Sequence, residues 1–138
     1  TKKEIPIIVR INRPFSTDYN PPHKDMYEIF DEENKFLMFM NFWIPICGVN
    51  EKSSLPIVPK SHLINESKIL RTREGGNIGK NNYRVRLVKN WDDKNELKRV
   101  NINYGEVLFF SSHLIHGLAT NENENFTRVA LEFRLFKK

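Results

Sequence analysis

The segment FTRVALEFRLF, residues 126–136, alternates residue by residue. Val129, Leu131, Phe133 and Leu135 form an apolar face, while Arg128, Ala130, Glu132 and Arg134 form the other. A period of two over so long a run belongs to a β-strand with unlike faces. Register is then tightly specified, because a slip of one residue exchanges the faces. Such a strand needs neighbours, and the chain supplies them. IPIIVRI (5–11), KFLMFMNFWIP (35–45), LPIVPKSH (55–62), YRVRLV (83–88), LKRVNIN (97–103) and EVLFFSS (106–112) are rich in β-branched and aromatic residues or alternate in polarity. The nearly unbroken apolar run 35–45 follows the acidic patch DEEN (31–34) and reads as a central strand stopped by Pro45. NRPFSTDYNPP (12–22) holds three prolines and reads as a loop. Residues 65–82 carry the weakest pattern and read as a mobile loop with one helical turn. NENEN (121–125) reads as a polar hairpin connection. Seven or eight strands with almost no helix predict an all-β, double-sheet jelly roll or barrel, with space for one ligand at its mouth.

Composition bounds the rest. The 138 residues suit a single domain spanning 1–138, and 39% hydrophobic residues with ten Phe and only six Gly predict a packed core. Cys47 is the sole cysteine, so an intrachain disulfide is excluded and a reducing, cytoplasmic setting is expected. No apolar run approaches the ~20 residues of a membrane span. The net charge of +5 and pI near 9.4 come from dispersed residues rather than a block. That pattern favours a solvated basic surface over nucleic-acid binding, and it also suits an anionic small substrate.

The chemistry lies in four histidines at 23, 62, 113 and 116, and in their acidic and basic neighbours. His23 and Asp25, in PPHKD, are two residues apart, so extended backbone presents both to one side. Two such ligands plus a distant histidine make the facial triad that leaves open positions on non-heme Fe(II). Along EVLFFSSHLIHG, strand parity sets His116 with Leu114, Ser112 and Phe110 and puts His113 on the opposite side, so one of the two at most faces a barrel interior. Arg128 sits on the polar face of the last strand, and a guanidinium on an inner face is shaped to clamp a carboxylate with two parallel hydrogen bonds.

Taken in order, His23-Lys24-Asp25, LPIVPKSH, GEVLFFSSHLIHG and an arginine shortly after the last histidine resemble the phytanoyl-CoA dioxygenase family, over about residues 20–136. The resemblance implies a double-stranded β-helix core that uses Fe(II) and 2-oxoglutarate. It implies His23, Asp25 and His116 as metal ligands, His116 being favoured over His113 because a glycine follows it. Arg128 then resembles the arginine that binds the 5-carboxylate of 2-oxoglutarate, and Trp43, with Asn41 on the same face, resembles residues beside that cosubstrate. His62 ends a segment similar to the family's V-P-G-S-H, in which Lys60 here replaces glycine. Ser112 and Asn121 are candidates to support the ligands. The family usually places a sizeable helical region before the first ligand, whereas 22 residues precede His23 here, so much of the substrate-defining region is expected to lie outside these residues.

The implied reaction uses O2 to decarboxylate 2-oxoglutarate oxidatively to succinate and CO2 while hydroxylating a small molecule. A nucleic-acid demethylase of the same superfamily is the nearest alternative, supported by two arginines six apart, Arg128 and Arg134, and opposed by LPIVPKSH. A cupin-type isomerase fits less well, since cupins want H-x-H. A jelly-roll binding module without metal is the alternative from another class.

Overall fold

The computed structural model describes residues 5–29, 33, 35–91 and 95–136. Its strands are β1 (Ile8–Asn12), β2 (Phe39–Cys47), β3 (Pro56–Ile57), β4 (Ile69–Arg71), β5 (Gly76–Ile78), β6 (Asn81–Tyr83), β7 (Val88–Trp91), β8 (Lys98–Arg99), β9 (Leu108–Ser111) and β10 (Arg128–Phe136). Among the described residues, helical backbone is limited to 3₁₀ turns at Asp25–Glu28, Ser61–Leu63 and Glu66–Lys68. The all-β jelly-roll expectation therefore holds, and no helix here is long and apolar enough to cross a membrane.

One layer is a regular antiparallel sheet in the order β1-β10-β2-β9. Alternation fixes which face turns inward. Arg128, Ala130 and Glu132 on β10 and Phe39, Asn41 and Trp43 on β2 are buried, while Val129, Leu131, Met40, Phe42 and Ile44 between them are only half-buried. The polar face of β10 is thus the inner face, and pairing sets Arg128 opposite Asn12, Glu132 opposite Trp43 and Arg134 opposite Asn41. Pro45 does not end β2. It lies within the strand opposite Ala130, where the register shifts between Val129 and Ala130. An irregular step of this kind is where a residue without an N–H donor is tolerated.

The second layer is made of short pairs, β3–β8 and β4–β7, with isolated bridges from His116 to His23 and to Ile57. Single backbone bonds stitch it together. Val88 N–H donates to Pro22 O, His23 and His116 exchange bonds in both directions, Val58 N–H donates to Ile115 O, and Val100 N–H donates to Leu55 O. The order across this layer is β4, β7, residues 22–23, residues 115–116, β3 and β8. Trp43, Leu55, Phe110, Leu114 and Ala130 fill the space between layers. Met26, Tyr27, Val58, Val88 and Ile115 form a second apolar cluster. Leu114 and Ile115 enter different clusters, as adjacent residues on extended chain must.

Several expected boundaries move. Residues 65–82 contain the expected helical turn, Glu66–Lys68, but also β4 and the hairpin β5–β6. That hairpin turns on Gly79-Lys80 with Gly79 at φ +58°, the Gly-first pattern of a two-residue turn. Its strands are polar, so periodicity gave no sign of them. YRVRLV is a bend: Tyr83 ends β6, Val88 begins β7, and Arg86 N–H donates to Glu28 Oε1 instead of to a strand. LKRVNIN forms ladder pairs at Lys98 and Arg99, next to the single bond from Val100 N–H to Leu55 O. NENEN is not a hairpin, because β9 and β10 are not neighbours. It is part of the crossing from the second layer to the first, pinned by Asn121 and Asn123. Asn121 Nδ2 donates to Asn12 O, and Asn123 Nδ2 donates to Asn121 Oδ1. Of DEEN, Asp31, Glu32 and Asn34 lie outside the described residues.

Candidate metal centre

His23 and His116 meet because their backbones pair, and each imidazole then points between the layers. Lys24 is extended at φ −116°, ψ 130°, and Asp25 opens the following 3₁₀ turn. His23 and Asp25 therefore share one side of the chain, and Lys24 points to the other. Met26 N–H donates to Ser112 O, which ties this turn to the end of β9.

The three side chains are buried and converge. His23 Nε2 stands 3.4 Å from Asp25 Oδ1, His116 Nε2 stands 3.5 Å from Asp25 Oδ2, and the two ring centroids are 4.3 Å apart. Adjacent donors on one ion with bonds near 2.1 Å are separated by about 3 Å, so the cluster is close to a facial array. Tautomers agree with that use. His23 Nδ1 lies 2.7 Å from Pro21 O, and His116 Nδ1 lies 3.0 Å from Leu114 O. A carbonyl only accepts, so each Nδ1 carries the proton and each Nε2 offers a lone pair to the cluster. Burial, and next the adjacent His23 ring, push the His116 pKa down to about 4, which keeps that ring neutral. Burial alone would raise Asp25, but His116, His23 and Arg134 outweigh it and hold the carboxyl well below its ordinary range.

The cluster opens into a cavity of about 390 Å³ lined by His23, His116, Trp43, Arg128, Tyr19 and Glu132, among others. Arg128 is 2% exposed, and its one hydrogen bond among the described residues is a long 3.4 Å from Nη2 to Ala119 O. Its Nε has no partner among the described residues, and its guanidinium lies 5.6 Å from the centre of the Trp43 ring. Burial, then Arg10 and Arg99, lower its pKa to about 10. A buried guanidinium with unused donors facing a cavity is costly unless an anion completes it.

The structure thus brings together His23, Asp25, His116, Arg128, Trp43 and Asn41. It leaves His113 outside, part-buried on the far side of the chain, where burial and Lys24 lower its pKa. His62 is exposed. Asn41 does not point freely into the cavity: its Nδ2 donates to Asp25 Oδ2 at 2.9 Å, and its buried Oδ1 has no partner among the described residues. Two contacts were not foreseen. Arg134 Nη2 reaches Asp25 Oδ1 at 3.1 Å. Lys24, fully buried, ends 2.6 Å from Glu66 Oε1. The shared parity of Arg128 and Arg134 signals the face of the first but not its reach to Asp25; nothing local signals the second.

A sequence model of the phytanoyl-CoA dioxygenase (PhyH) family matches residues 5–130. The chain belongs to that family. No curated protein matches it in sequence. Three solved structures share the fold of this PhyH-family chain. The non-heme alpha-ketoglutarate-dependent carbocyclase SnoK from nogalamycin biosynthesis superposes with TM-score 0.66 at 18% identity, over 94% of this chain and 47% of SnoK. AviO1 from Streptomyces viridochromogenes Tue57 gives 0.59 at 16%, over 96% of this chain and 52% of AviO1. The epimerase SnoN, solved with Fe3+, alpha-ketoglutarate and nogalamycin RO, gives 0.60 at 15%, over 93% of this chain and 47% of SnoN. The chain spans about half the length of each.

Proposed function

We propose that this PhyH-family chain is the metal- and cosubstrate-binding core of an Fe(II)- and 2-oxoglutarate-dependent dioxygenase that hydroxylates a small molecule. The observation that carries the reading is Arg128, buried and short of partners among the described residues, in a cavity that also reaches His23 and His116, two of three convergent metal-type donors. His23, Asp25 and His116 would hold the iron through two Nε2 lone pairs and one carboxylate oxygen, leaving positions open as a triad does. Iron held there would let O2 act as the oxidant, one oxygen atom entering the substrate C–H bond as hydroxyl and the other entering succinate as 2-oxoglutarate loses CO2.

The chain's own residues do the rest. Arg128 binds the distal carboxylate of the cosubstrate. Trp43 walls the cavity beside it and excludes water. The Pro21 and Leu114 carbonyls hold both histidines in the ligating tautomer. Arg10, Arg13, Arg99 and Arg134 are paired with Glu132, Asp18, Glu122 and Asp25. Each of these arginines already has a carboxylate partner within the chain, two of the pairs at the surface, and this favours a small molecule over a phosphate backbone as substrate.

Anaerobic titration with Fe(II) and then 2-oxoglutarate tests the reading. Binding of both, with a visible metal-to-ligand charge-transfer band that Asp25→Ala abolishes, is the expected result. If the wild-type protein retains neither, the oxygenase reading fails and a metal-free binding module replaces it.

A further inference from the structure

The Asp25 carboxylate is gripped from two adjacent strands of the regular sheet. Asn41 on β2 and Arg134 on β10 are directly paired across the sheet and share its inner face. Asn41 Nδ2 donates to Oδ2 at 2.9 Å, and Arg134 Nη2 donates to Oδ1 at 3.1 Å. Each oxygen thus has one fixed donor and keeps capacity for one more bond. An aspartate carboxylate otherwise rotates in a broad torsional well, so these donors set its orientation.

Arg134 is itself held. Nη2 also donates to Glu132 Oε1 at 3.3 Å, and the guanidinium lies 5.3 Å from the centre of the Phe39 ring. Glu132 in turn receives two bonds of 3.0 Å from Arg10, through Nε and Nη2. The result is an alternating series, Asp25, Arg134, Glu132, Arg10, running from the ligand cluster to the edge strand β1. Arg128 is on the same face of β10 but has no carboxylate partner among the described residues. The two arginines of β10 therefore do different things.

We propose that Arg134, braced by Glu132 and Arg10, is a positioning residue that aims the Asp25 carboxylate at the point where His23 and His116 converge. The inference rests on the metal reading above. It adds that the sheet orients a ligand carried by an irregular turn, and that this task is separate from anion binding at Arg128.

The test is titration of metal-free protein with Co(II), following both affinity and the visible ligand-field band. Arg134→Gln is expected to weaken Co(II) binding about ten- to hundredfold and to shift the band, with circular dichroism unchanged. Arg134→Lys keeps the charge but not the planar fork, and is expected to lie between Gln and wild type. Arg10→Gln, two contacts away, is expected to cost less than either. Wild-type affinity and an unshifted band in Arg134→Gln would overturn the proposal while leaving the metal reading intact. If Arg134→Gln does not fold, Arg134→Lys decides: affinity reduced at least threefold with a shifted band supports the proposal, and wild-type behaviour overturns it. Failure of the wild-type protein to bind Co(II) is a different outcome, which removes the metal reading and this inference with it.

Discussion

The two layers build one site by different means. The regular sheet contributes Arg128, Asn41, Trp43 and Arg134, all placed by strand alternation and cross-strand register. The second layer contributes His23, Asp25 and His116 from segments with little regular structure, placed by single backbone bonds such as the His23–His116 exchange. A side chain on a long strand inherits its direction from many bonds, so losing one contact moves it little. A ligand on a bridge or turn depends on two or three particular contacts. Damage to the sheet face should therefore be specific, removing one interaction, whereas damage to the second layer should remove stability and metal binding together.

Arg128→Ala is the strongest test of the first half. It should weaken 2-oxoglutarate binding by about 2–5 kcal/mol, the range for losing one partner of a buried charge pair. Metal affinity should stay close to wild type, measured by calorimetry on the same preparation. Loss of both together would show that the sheet does not act through separate residues.

Gly117→Ala tests the second half. Gly117 has φ +137°, and a Cβ there would lie 2.3 Å from Pro21 O, in the segment that carries His23. Backbone on both sides cannot yield easily, so the paired segments must separate. The expected cost is roughly 3 kcal/mol in chemical denaturation, with metal affinity falling alongside. A stable variant with normal metal affinity would mean that the bridge is not what holds the histidines together.

The same contrast explains what could be read from the chain. β10 was legible almost residue by residue, because strict alternation over FTRVALEFRLF leaves one way to face the strand. The convergence of His23, Asp25 and His116 was foreshadowed by the two-residue spacing of His23 and Asp25 and, through the family resemblance, by the glycine after His116. The Arg134–Asp25 contact was not, because a strand pattern gives the face and not the reach of a long side chain. β4, β5 and β6 were missed for a related reason: β4 has three residues and pairs with the distant β7, while β5 and β6, though joined by a tight turn, are three residues each, too short to carry a hydrophobic period. Lys24 is the clearest failure. A lysine in a polar loop reads as solvated, and only Glu66, 42 positions away, explains its burial.

That pair gives a smaller prediction. Glu66→Gln leaves the fully buried Lys24 ammonium without its carboxylate, and it also weakens the acceptor used by the Tyr27 hydroxyl. Glu66 itself is 42% exposed at the side chain, so water screens part of the loss. The expected destabilisation is about 1–2 kcal/mol, well below the figure for a fully enclosed pair. Lys24→Met combined with Glu66→Gln should recover most of it. Burial raises the Glu66 pKa, but Lys24 and Tyr27 outweigh that and leave it below the ordinary value. The contribution of the pair is therefore present above the ordinary glutamate range and fades as pH falls through the lowered value. A wild-type unfolding free energy that does not weaken more steeply than that of the double variant over that range would contradict this account.

Lys60 gives the smallest effect and the sharpest local argument. In IVPKSH it occupies the place where the related motif has glycine, and its backbone adopts φ +64°, ψ 3°. The turn geometry is thus the left-handed one that glycine accepts freely, taken up by a residue with a Cβ. Such a conformation costs an L-residue roughly 1 kcal/mol. The turn is retained because neighbours over-determine it: Ser61 N–H donates to Val58 O, Leu63 N–H donates to Lys60 O, and Ser61 Oγ accepts from Ile115 N–H at 2.8 Å. Lys60→Gly removes the strain but gives the unfolded chain more freedom, which offsets part of the gain. The net expectation is stabilisation of about 0.5 kcal/mol, a thermal midpoint raised by one to a few degrees, with unchanged metal affinity. Because Ser61 and Ile115 join this turn to the segment carrying His116, any rise in metal affinity would show that strain at Lys60 reaches the ligand and that the second layer is more tightly coupled than its separate contacts imply. A drop in stability would mean that the Lys60 side chain makes contacts worth more than the strain it causes.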